Sequence, residues 1–179
     1  MTNIFGLNLT ELTSLITDLN LPKFRAKQII EWLYQKHATS FDEMTNLSKD
    51  LREKLAQEFT IERAKSCDRL DSSDGKTTKF LLEFGDGIGV ETVLMRQPYG
   101  NSICVSSQAG CNMGCSFCAS TLHGMARNLS TGEILAQAMF IQELLNQTGE
   151  QINNIVIMGS GEPMLNYDNV LNFIRLAHE

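Results

Sequence analysis

Three closely spaced cysteines constrain this chain more than any other feature of its sequence. Cys111, Cys115 and Cys118 stand in the order C-x3-C-x2-C within the segment GCNMGCSFCAS. Their thiolates can converge only if the loop wraps around a common centre, and Gly110 and Gly114 supply the backbone freedom for such wrapping. The spacing therefore predicts a metal site on a loop.

Three chemical interpretations compete for this triplet. A [4Fe-4S] cluster ordinarily takes four cysteines, so three would leave one iron open to a non-protein ligand. Zinc takes four ligands, and His123 could supply the fourth. Three unconnected core cysteines are the last interpretation, but burial alone gives no reason for this spacing. A cluster or a zinc ion is therefore expected.

Composition limits the class of protein. The chain has five cysteines and no N-terminal export signal, which favours metal or redox chemistry in the cytoplasm over a disulfide framework. No window approaches the roughly 18 uninterrupted apolar residues that span a bilayer, so no membrane is expected. The net charge of -6 argues against a protein that coats nucleic acid by charge alone. A nucleic-acid partner would have to be held at a specific site.

The hydrophobic period changes along the chain and divides it. Residues 1–66 carry three apolar stripes of helical period, with basic side chains near the second, and predict a small helical module. Within residues 67–101 the period becomes two, and KFLLEF, a glycine turn and IGVETVLM predict a β-hairpin. The run SICVSS at 102–107 predicts a third extended segment.

Residues 102–179 alternate between strand and helix patterns. Ser130 and Glu133 form a capping-box signature, which predicts a helix after the cysteine loop. NIVIM at 154–158 predicts a strand, followed by the turn GSGEPMLN and a helix near Asp168. This order is typical of parallel βα units with functional loops after the strands. Because two units cannot close a barrel and the last helix has no stop signal, we expect an N-terminal piece of a longer protein.

These motifs resemble those of a known family. The triplet, with Phe117 before its last cysteine, resembles the signature of radical S-adenosylmethionine (SAM) enzymes. More closely, VETVLM, CVSSQAGCNMGCSFCAS, RNLSTGEI and IVIMGSGEPMLN resemble the bacterial RlmN family. FRAKQIIEWLY and FDEMTNLSKDLR are similar to that family's RNA-binding accessory domain. Ser160 departs from the family pattern, in which a methionine is expected in the turn.

The resemblance implies an α/β fold in three parts. Residues 1–66 would form a small helical RNA-contacting accessory domain, and 67–101 a β-hairpin linker. Residues 102–179 would form the first βα units of a truncated radical SAM (β/α) partial TIM barrel. The resemblance also implies a [4Fe-4S] cluster on the cysteine triplet, and S-adenosylmethionine bound by Gly161 and Glu162.

The resemblance further implies an activity. Enzymes of the RlmN family methylate carbon 2 of an adenine in 23S rRNA and of an adenine in the tRNA anticodon loop, by a radical route through a methylated carrier cysteine. Glu91 matches the family's proton acceptor, and Cys104 matches the cysteine that forms a transient disulfide with the carrier. No cysteine follows Cys118, so the carrier would lie outside this chain, which alone is expected to be inactive. The implied partners are 23S rRNA, tRNA and an electron donor such as flavodoxin. The protein itself is expected to be a monomer.

Two other functions stay open at this point. The nearest enzymatic alternative is the sister family that methylates carbon 8 of the same adenine and confers antibiotic resistance. From another class comes a non-catalytic, zinc-stabilised RNA-binding module with His123 as the fourth ligand. Without the resemblance, Glu91 would be a solvent-facing strand residue and Cys104 a buried strand cysteine. Cys67 fits no pattern and is expected to be structural.

Overall fold

The chain forms two compact units in the computed structural model, which describes residues 1–178. The first unit is Met1–Arg63, and the second begins at Ala64. None of the helices in the described part of the chain is long and apolar enough to cross a bilayer.

The first unit is mainly helical. Its elements are β1 (Thr2–Asn3), α1 (Leu9–Asp18), α2 (Phe24–Ile30) with a π-helical continuation (Glu31–Gln35), a 3-10 turn (Phe41–Glu43), α3 (Lys49–Glu58) and β2 (Phe59–Thr60). The short strands β1 and β2 pair in parallel. The core consists of fully buried aliphatic side chains: Ile4, Leu12, Ile16, Ile29, Leu33, Met44 and Leu55. The helices lie where the apolar stripes predict them.

A capping box starts α1. The side-chain oxygen of Asn8 accepts a hydrogen bond from the backbone N–H of Glu11 at 2.9 Å, and the Glu11 carboxylate accepts one from the Asn8 N–H at 2.9 Å. This arrangement satisfies two N–H groups that a helix otherwise leaves unpaired. The helix therefore begins slightly earlier than its apolar stripe.

The second unit is built on a five-stranded sheet. Its elements, in chain order, are β3 (Lys65–Asp71), β4 (Thr77–Glu83), β5 (Gly89–Gln97), β6 (Gly100–Cys104), β7 (Gln108–Gly110), β8 (Met125–Asn128), α4 (Thr131–Asn146), β9 (Ile152–Val156) and α5 (Tyr167–His178). The sheet order is β3-β4-β5-β6-β9, and β7 pairs with β8 in a separate two-stranded sheet. The pairs β3–β4, β4–β5 and β5–β6 are antiparallel, whereas β6 and β9 are parallel.

The parallel pair confirms the predicted βα architecture. The connection from β6 to β9 runs through α4, as a parallel connection requires. The helix begins at the predicted cap, because the Ser130 hydroxyl accepts from the Glu133 N–H and the Glu133 carboxylate accepts from the Ser130 N–H. The predicted hairpin strands β4 and β5 lie in the same sheet as β6 and β9.

In the second unit, three strands are not predicted by the sequence patterns: β3, β7 and β8. Every residue of β3 is exposed, so this edge strand shows no alternation of apolar and polar side chains. The strands β7 and β8 have only three and four residues, too few to show a period. Conversely, β6 ends at Cys104, and the rest of the predicted extended run, residues 105–107, continues as non-strand backbone.

The two faces of the sheet differ in burial. One face carries the buried side chains Phe80, Leu82, Val90, Leu94 and Ile103. It packs on α4, as shown by the edge-to-face contact of Phe80 and Phe140 with ring centroids 5.2 Å apart. The side chains of Lys79 and Glu91 lie on the other face, where Lys79 is half-buried and Glu91 is exposed. Stability therefore comes mainly from the helix-covered face.

A buried amide ties α4 to this sheet. Gln137 is fully buried, and its Oε1 accepts hydrogen bonds from the Thr92 hydroxyl and the Ser106 N–H, each at 2.8 Å. Its Nε2 donates to the Ser106 carbonyl at 3.0 Å. One side chain thus satisfies polar groups of β5 and of the segment that follows β6.

Replacing this amide should weaken the second unit. Gln137→Leu leaves the Thr92 hydroxyl and both backbone groups of Ser106 buried without a partner, which should lower the free energy of unfolding by about 2–4 kcal/mol. Urea denaturation of the full-length protein, followed by circular dichroism, measures the change. Gln147→Leu, at the exposed end of α4, is the control and should change stability by less than about 0.5 kcal/mol. Equal stability of the two variants would contradict the role given to Gln137.

Candidate active site

The cysteine loop connects β7 to β8. Cys111 is buried, Cys118 is half-buried and Cys115 is exposed. The Cys111 N–H donates to the Gly124 carbonyl at 3.2 Å, and the Met125 N–H donates to Oδ1 of Asn112 at 2.9 Å. These bonds tie the two ends of the loop together, so all three thiols lie on one closed loop.

The glycine that precedes the triplet is required by close approach. Gly110 has φ +78°, and a Cβ there would overlap the carbonyl oxygen of Gly124. Gly114, between the first two cysteines, has φ +70°. Both torsions lie in the region that L-residues with a side chain rarely adopt. A side chain at Gly110 would open the base of the loop.

The kind of donor fits an iron–sulfur cluster. All three cysteines are free thiols, and soft thiolates are the usual ligands of such clusters. The Met113 N–H also points at the Cys111 sulfur, 3.5 Å away, and hydrogen bonds of this type stabilise a ligating sulfur. Within residues 1–178, however, no group of three or more His, Cys, Asp or Glu side chains is arranged to hold a metal ion. The three thiols therefore lie on one loop, but they do not point at a common metal position. His123 is exposed and does not form a metal-binding group with them either.

The glycine-rich turn after β9 packs against the segment after β6. The carbonyl of Ser160 accepts hydrogen bonds from the N–H groups of Ser107 and Gln108, at 2.9 and 3.1 Å. The Ser160 N–H donates to the Ser106 hydroxyl at 3.0 Å. The turn and the start of the cysteine-bearing segment are therefore joined directly.

Two glycines make this approach possible. A Cβ at Gly159 would lie 2.6 Å from the Ser106 hydroxyl oxygen, and a Cβ at Gly161 would lie 2.5 Å from Cβ of Gln108. Gly161 also has φ +104°. Both positions are thus closed to other residues by packing within the chain, in addition to any contact with a cofactor.

Gln108 connects this turn to the strand that closes the cysteine loop. It is almost completely buried, and its Oε1 accepts from the Glu162 N–H at 2.8 Å while its Nε2 donates to Asn128 at 2.7 Å. The Glu162 carboxylate accepts from the Met164 N–H at 3.1 Å and caps the 3-10 turn Pro163–Asn166. Gln108 is not among the residues predicted from the sequence, although its polar side chain lies between a strand and the first cysteine of the loop.

The two predicted catalytic residues share the face of the sheet opposite α4. Glu91 lies on β5, two residues from Val93, whose partner across the sheet is Cys104. Side chains alternate between faces, so Glu91, Val93 and Cys104 point to the same side. The Glu91 carboxylate lies 2.7 Å from Nζ of Lys79. Burial raises the pKa of the Cys104 thiol above its ordinary value.

Arg127 links three segments near the loop. Its guanidinium makes two hydrogen bonds to the Glu133 carboxylate, at 2.8 and 2.7 Å, and one to Asp86 at 2.7 Å. Glu133 lies in the first turn of α4, and Asp86 lies in the turn between β4 and β5. The hydrogen bond to Glu133 raises the pKa of Arg127, followed by the charge of the same carboxylate. Arg127 therefore connects β8 to the first turn of α4 and to the turn between β4 and β5.

The raised pKa of Cys104 predicts slow alkylation. Because the thiolate is the reactive form, Cys104 should react with iodoacetamide more slowly than the exposed Cys67 near neutral pH, and its rate should still be climbing at pH values above the ordinary pKa of a thiol. Mass spectrometry of the labelled peptides separates the two sites. Equal labelling of Cys67 and Cys104 at neutral pH would contradict the prediction.

Two family models match the chain. The model described as "Ribosomal RNA large subunit methyltransferase N-terminal domain" matches residues 2–61. The model described as "Radical SAM superfamily" matches residues 105–179. These ranges correspond to the helical unit and to the part of the second unit that carries the cysteine loop.

Known proteins match over nearly the whole chain. Two relatives, each named "Probable dual-specificity RNA methyltransferase RlmN", from Staphylococcus aureus strains JH9 and Newman, are 50% identical over 177 residues, or 99% of this chain. The match covers 48% of each relative, so the chain spans about half the length of these curated relatives. A crystal structure of a radical SAM methyltransferase from Sphaerobacter thermophilus is 38% identical, with a TM-score of 0.91 over 100% of this chain and 52% of that one.

The matches agree with the sequence motifs and with the fold. They confirm the predicted family and the predicted class, an α/β fold with a helical N-terminal domain and the first βα units of a radical SAM barrel. Because both family models match it and 99% of its length aligns at 50% identity with RlmN proteins, this chain belongs to the RlmN family of the radical SAM superfamily.

Proposed function

We propose that the protein represented by this chain is a radical SAM enzyme that methylates carbon 2 of adenine in 23S rRNA and in the tRNA anticodon loop. The observation that carries the proposal is the junction of the cysteine segment and the glycine-rich turn. Both follow parallel strands, and Ser160 joins them through hydrogen bonds to Ser107 and Gln108. Loops at this edge of a parallel sheet form the active sites of (β/α) barrels.

The cofactors are assigned to the two joined segments. Cys111, Cys115 and Cys118 would hold the [4Fe-4S] cluster, and Gly161 and Glu162 would bind S-adenosylmethionine. When bound, the cluster and S-adenosylmethionine supply the radical chemistry that an unreactive aromatic C–H bond requires. The Glu162 N–H donates to Gln108 and its Oε1 accepts from the Met164 N–H, so Oε2 of the carboxylate is the side-chain atom that remains for a ligand.

Two residues of the uncovered sheet face would act on the RNA adduct. Glu91 would accept a proton at its carboxylate, and its exposed position on β5 leaves room for a base to approach. Cys104 would form a transient disulfide with a carrier cysteine outside this chain, which frees the methylated RNA. Because burial raises the pKa of the Cys104 thiol, this step should need a base or a rise in pH.

The helical unit would contribute RNA contacts. Lys23 and Lys27 are exposed on or beside α2, and the Arg25 guanidinium stacks 4.8 Å from the ring centre of exposed Phe24. Cations of this kind bind phosphates, and an exposed aromatic ring can stack on a base. We further propose that the protein acts as a cytoplasmic monomer with a reducing partner such as flavodoxin, as its family does.

Metal analysis tests the cofactor assignment. Full-length protein purified without oxygen should contain about four irons and four sulfides per chain, and Cys115→Ala should lose them, because one of three ligands is gone. Cys67→Ala, which removes an exposed cysteine of β3, is the control and should keep the cluster. Stoichiometric zinc without sulfide would instead support the zinc-stabilised RNA-binding module. An iron-loaded and active Cys115→Ala enzyme would also overturn the assignment.

Nucleoside analysis tests the target. The full-length gene, expressed in a strain that lacks its own enzyme, should produce 2-methyladenosine in both 23S rRNA and tRNA. Liquid chromatography with mass spectrometry and authentic standards separates 2-methyladenosine from 8-methyladenosine. Detection of 8-methyladenosine in its place would assign the protein to the C8-directed alternative.

A further inference from the structure

Lys79 donates a hydrogen bond to the Glu91 carboxylate, and no other cation within residues 1–178 does so. Nζ of Lys79, on β4, lies 2.7 Å from Oε1 of Glu91, on β5. In the strand register Glu91 is opposite Leu81 and Lys79 is opposite Val93, so the two charges are diagonal neighbours. Long side chains reach each other across this diagonal on one face of a sheet.

We propose that Lys79 is a positioning residue for Glu91 in proton transfer. Its ammonium holds Oε1, while Oε2 has no hydrogen-bond partner within residues 1–178 and stays open toward the uncovered side of the sheet. The inference rests on the proposed role of Glu91 as proton acceptor, and it adds a residue that the sequence motifs did not single out.

The charges around the pair support a fixed ammonium. The hydrogen bond to Glu91 raises the pKa of Lys79, followed by the charges of Glu91 and of Asp68 on β3. Lys79 is therefore protonated at neutral pH and donates rather than accepts. Other charged side chains share this face, since the register places Asp68 opposite Leu81 and Lys65 opposite Glu83. Cys104 lies on the same face two strands from Lys79, on β6.

Stability does not account for this pair. The two side chains are 43% and 58% exposed, and exposed ion pairs contribute little to the free energy of folding. The core of the unit lies on the opposite face, against α4. Substitution of Lys79 should consequently leave the fold intact and change only how the Glu91 carboxylate is held.

The step itself is a simple proton transfer. A proton leaves the reacting ring carbon of the adduct between RNA and the carrier and binds Oε2 of Glu91. The bonding electron pair of that C–H bond stays on the adenine ring. Lys79 keeps its own proton throughout and exchanges no electrons, so its contribution is geometric.

Single-turnover assays of the full-length enzyme test this role. The variants are Lys79→Met, Lys79→Arg and Glu91→Gln, with Lys65→Met, an exposed lysine of β3, as the matched control. Two quantities are measured: the rate at which methylated RNA is released, and the fraction of RNA that remains covalently bound to protein on a denaturing gel. The second quantity separates a failure of proton transfer from a failure to fold or to bind RNA.

The expected pattern is graded. Glu91→Gln should slow release by about 10²-fold or more, because a general base is lost, and the adduct should accumulate. Lys79→Met should slow release by about tenfold, again with accumulated adduct, because the base is present but misplaced. Lys79→Arg should restore most of the rate, and Lys65→Met should match the wild type.

The outcomes distinguish this inference from the function on which it rests. If Glu91→Gln releases RNA normally without accumulating adduct, the proposed role of Glu91 fails. If Glu91→Gln accumulates adduct but Lys79→Met behaves as wild type, only the role of Lys79 fails. A Lys79→Met enzyme that forms neither product nor adduct would also overturn it, as would a Lys79→Arg enzyme as defective as Lys79→Met.

Discussion

The candidate site depends on one close approach of two backbone segments. The carbonyl of Ser160 accepts N–H groups from Ser107 and Gln108, so the turn after β9 lies directly against the segment that leads from β6 into the cysteine loop. This approach is possible only because Gly159 and Gly161 carry no side chain. A chain in which the two segments were apart would hold the proposed cluster ligands and the proposed cofactor turn in separate places.

The sheet separates stability from chemistry. On one face, Phe80 packs on Phe140 and the buried amide of Gln137 satisfies polar groups of β5 and of Ser106. On the other face, Glu91 and Cys104 remain accessible or half-buried, with Lys79 beside the carboxylate. Because the core occupies one face, the side chains of the other face are free to serve function at little cost in folding energy.

Much of the fold was predictable because its signals are local. The capping box of Ser130 and Glu133, the period-two runs of β4 and β5, and the apolar stripes of the helical unit each lie within a few consecutive residues. The edge strand β3 was missed because all of its side chains are exposed, and β7 and β8 because they are too short. Gln108 and Gln137 were missed for a different reason. A glutamine in the sequence does not reveal which distant backbone groups it will satisfy.

The sequence by itself determined the types and order of the chemical groups. It shows three thiols in one loop and two glycines in one turn, each preceded by a strand pattern and followed by a helix start. Those features need only neighbouring residues. The tertiary structure decided which groups meet. The pairing of Lys79 with Glu91 depends on the register of two strands, and the shared face of Glu91 and Cys104 depends on a third. Strand register follows from the turns and from which face the core buries, so the side chains that become neighbours are known only once the strands are paired.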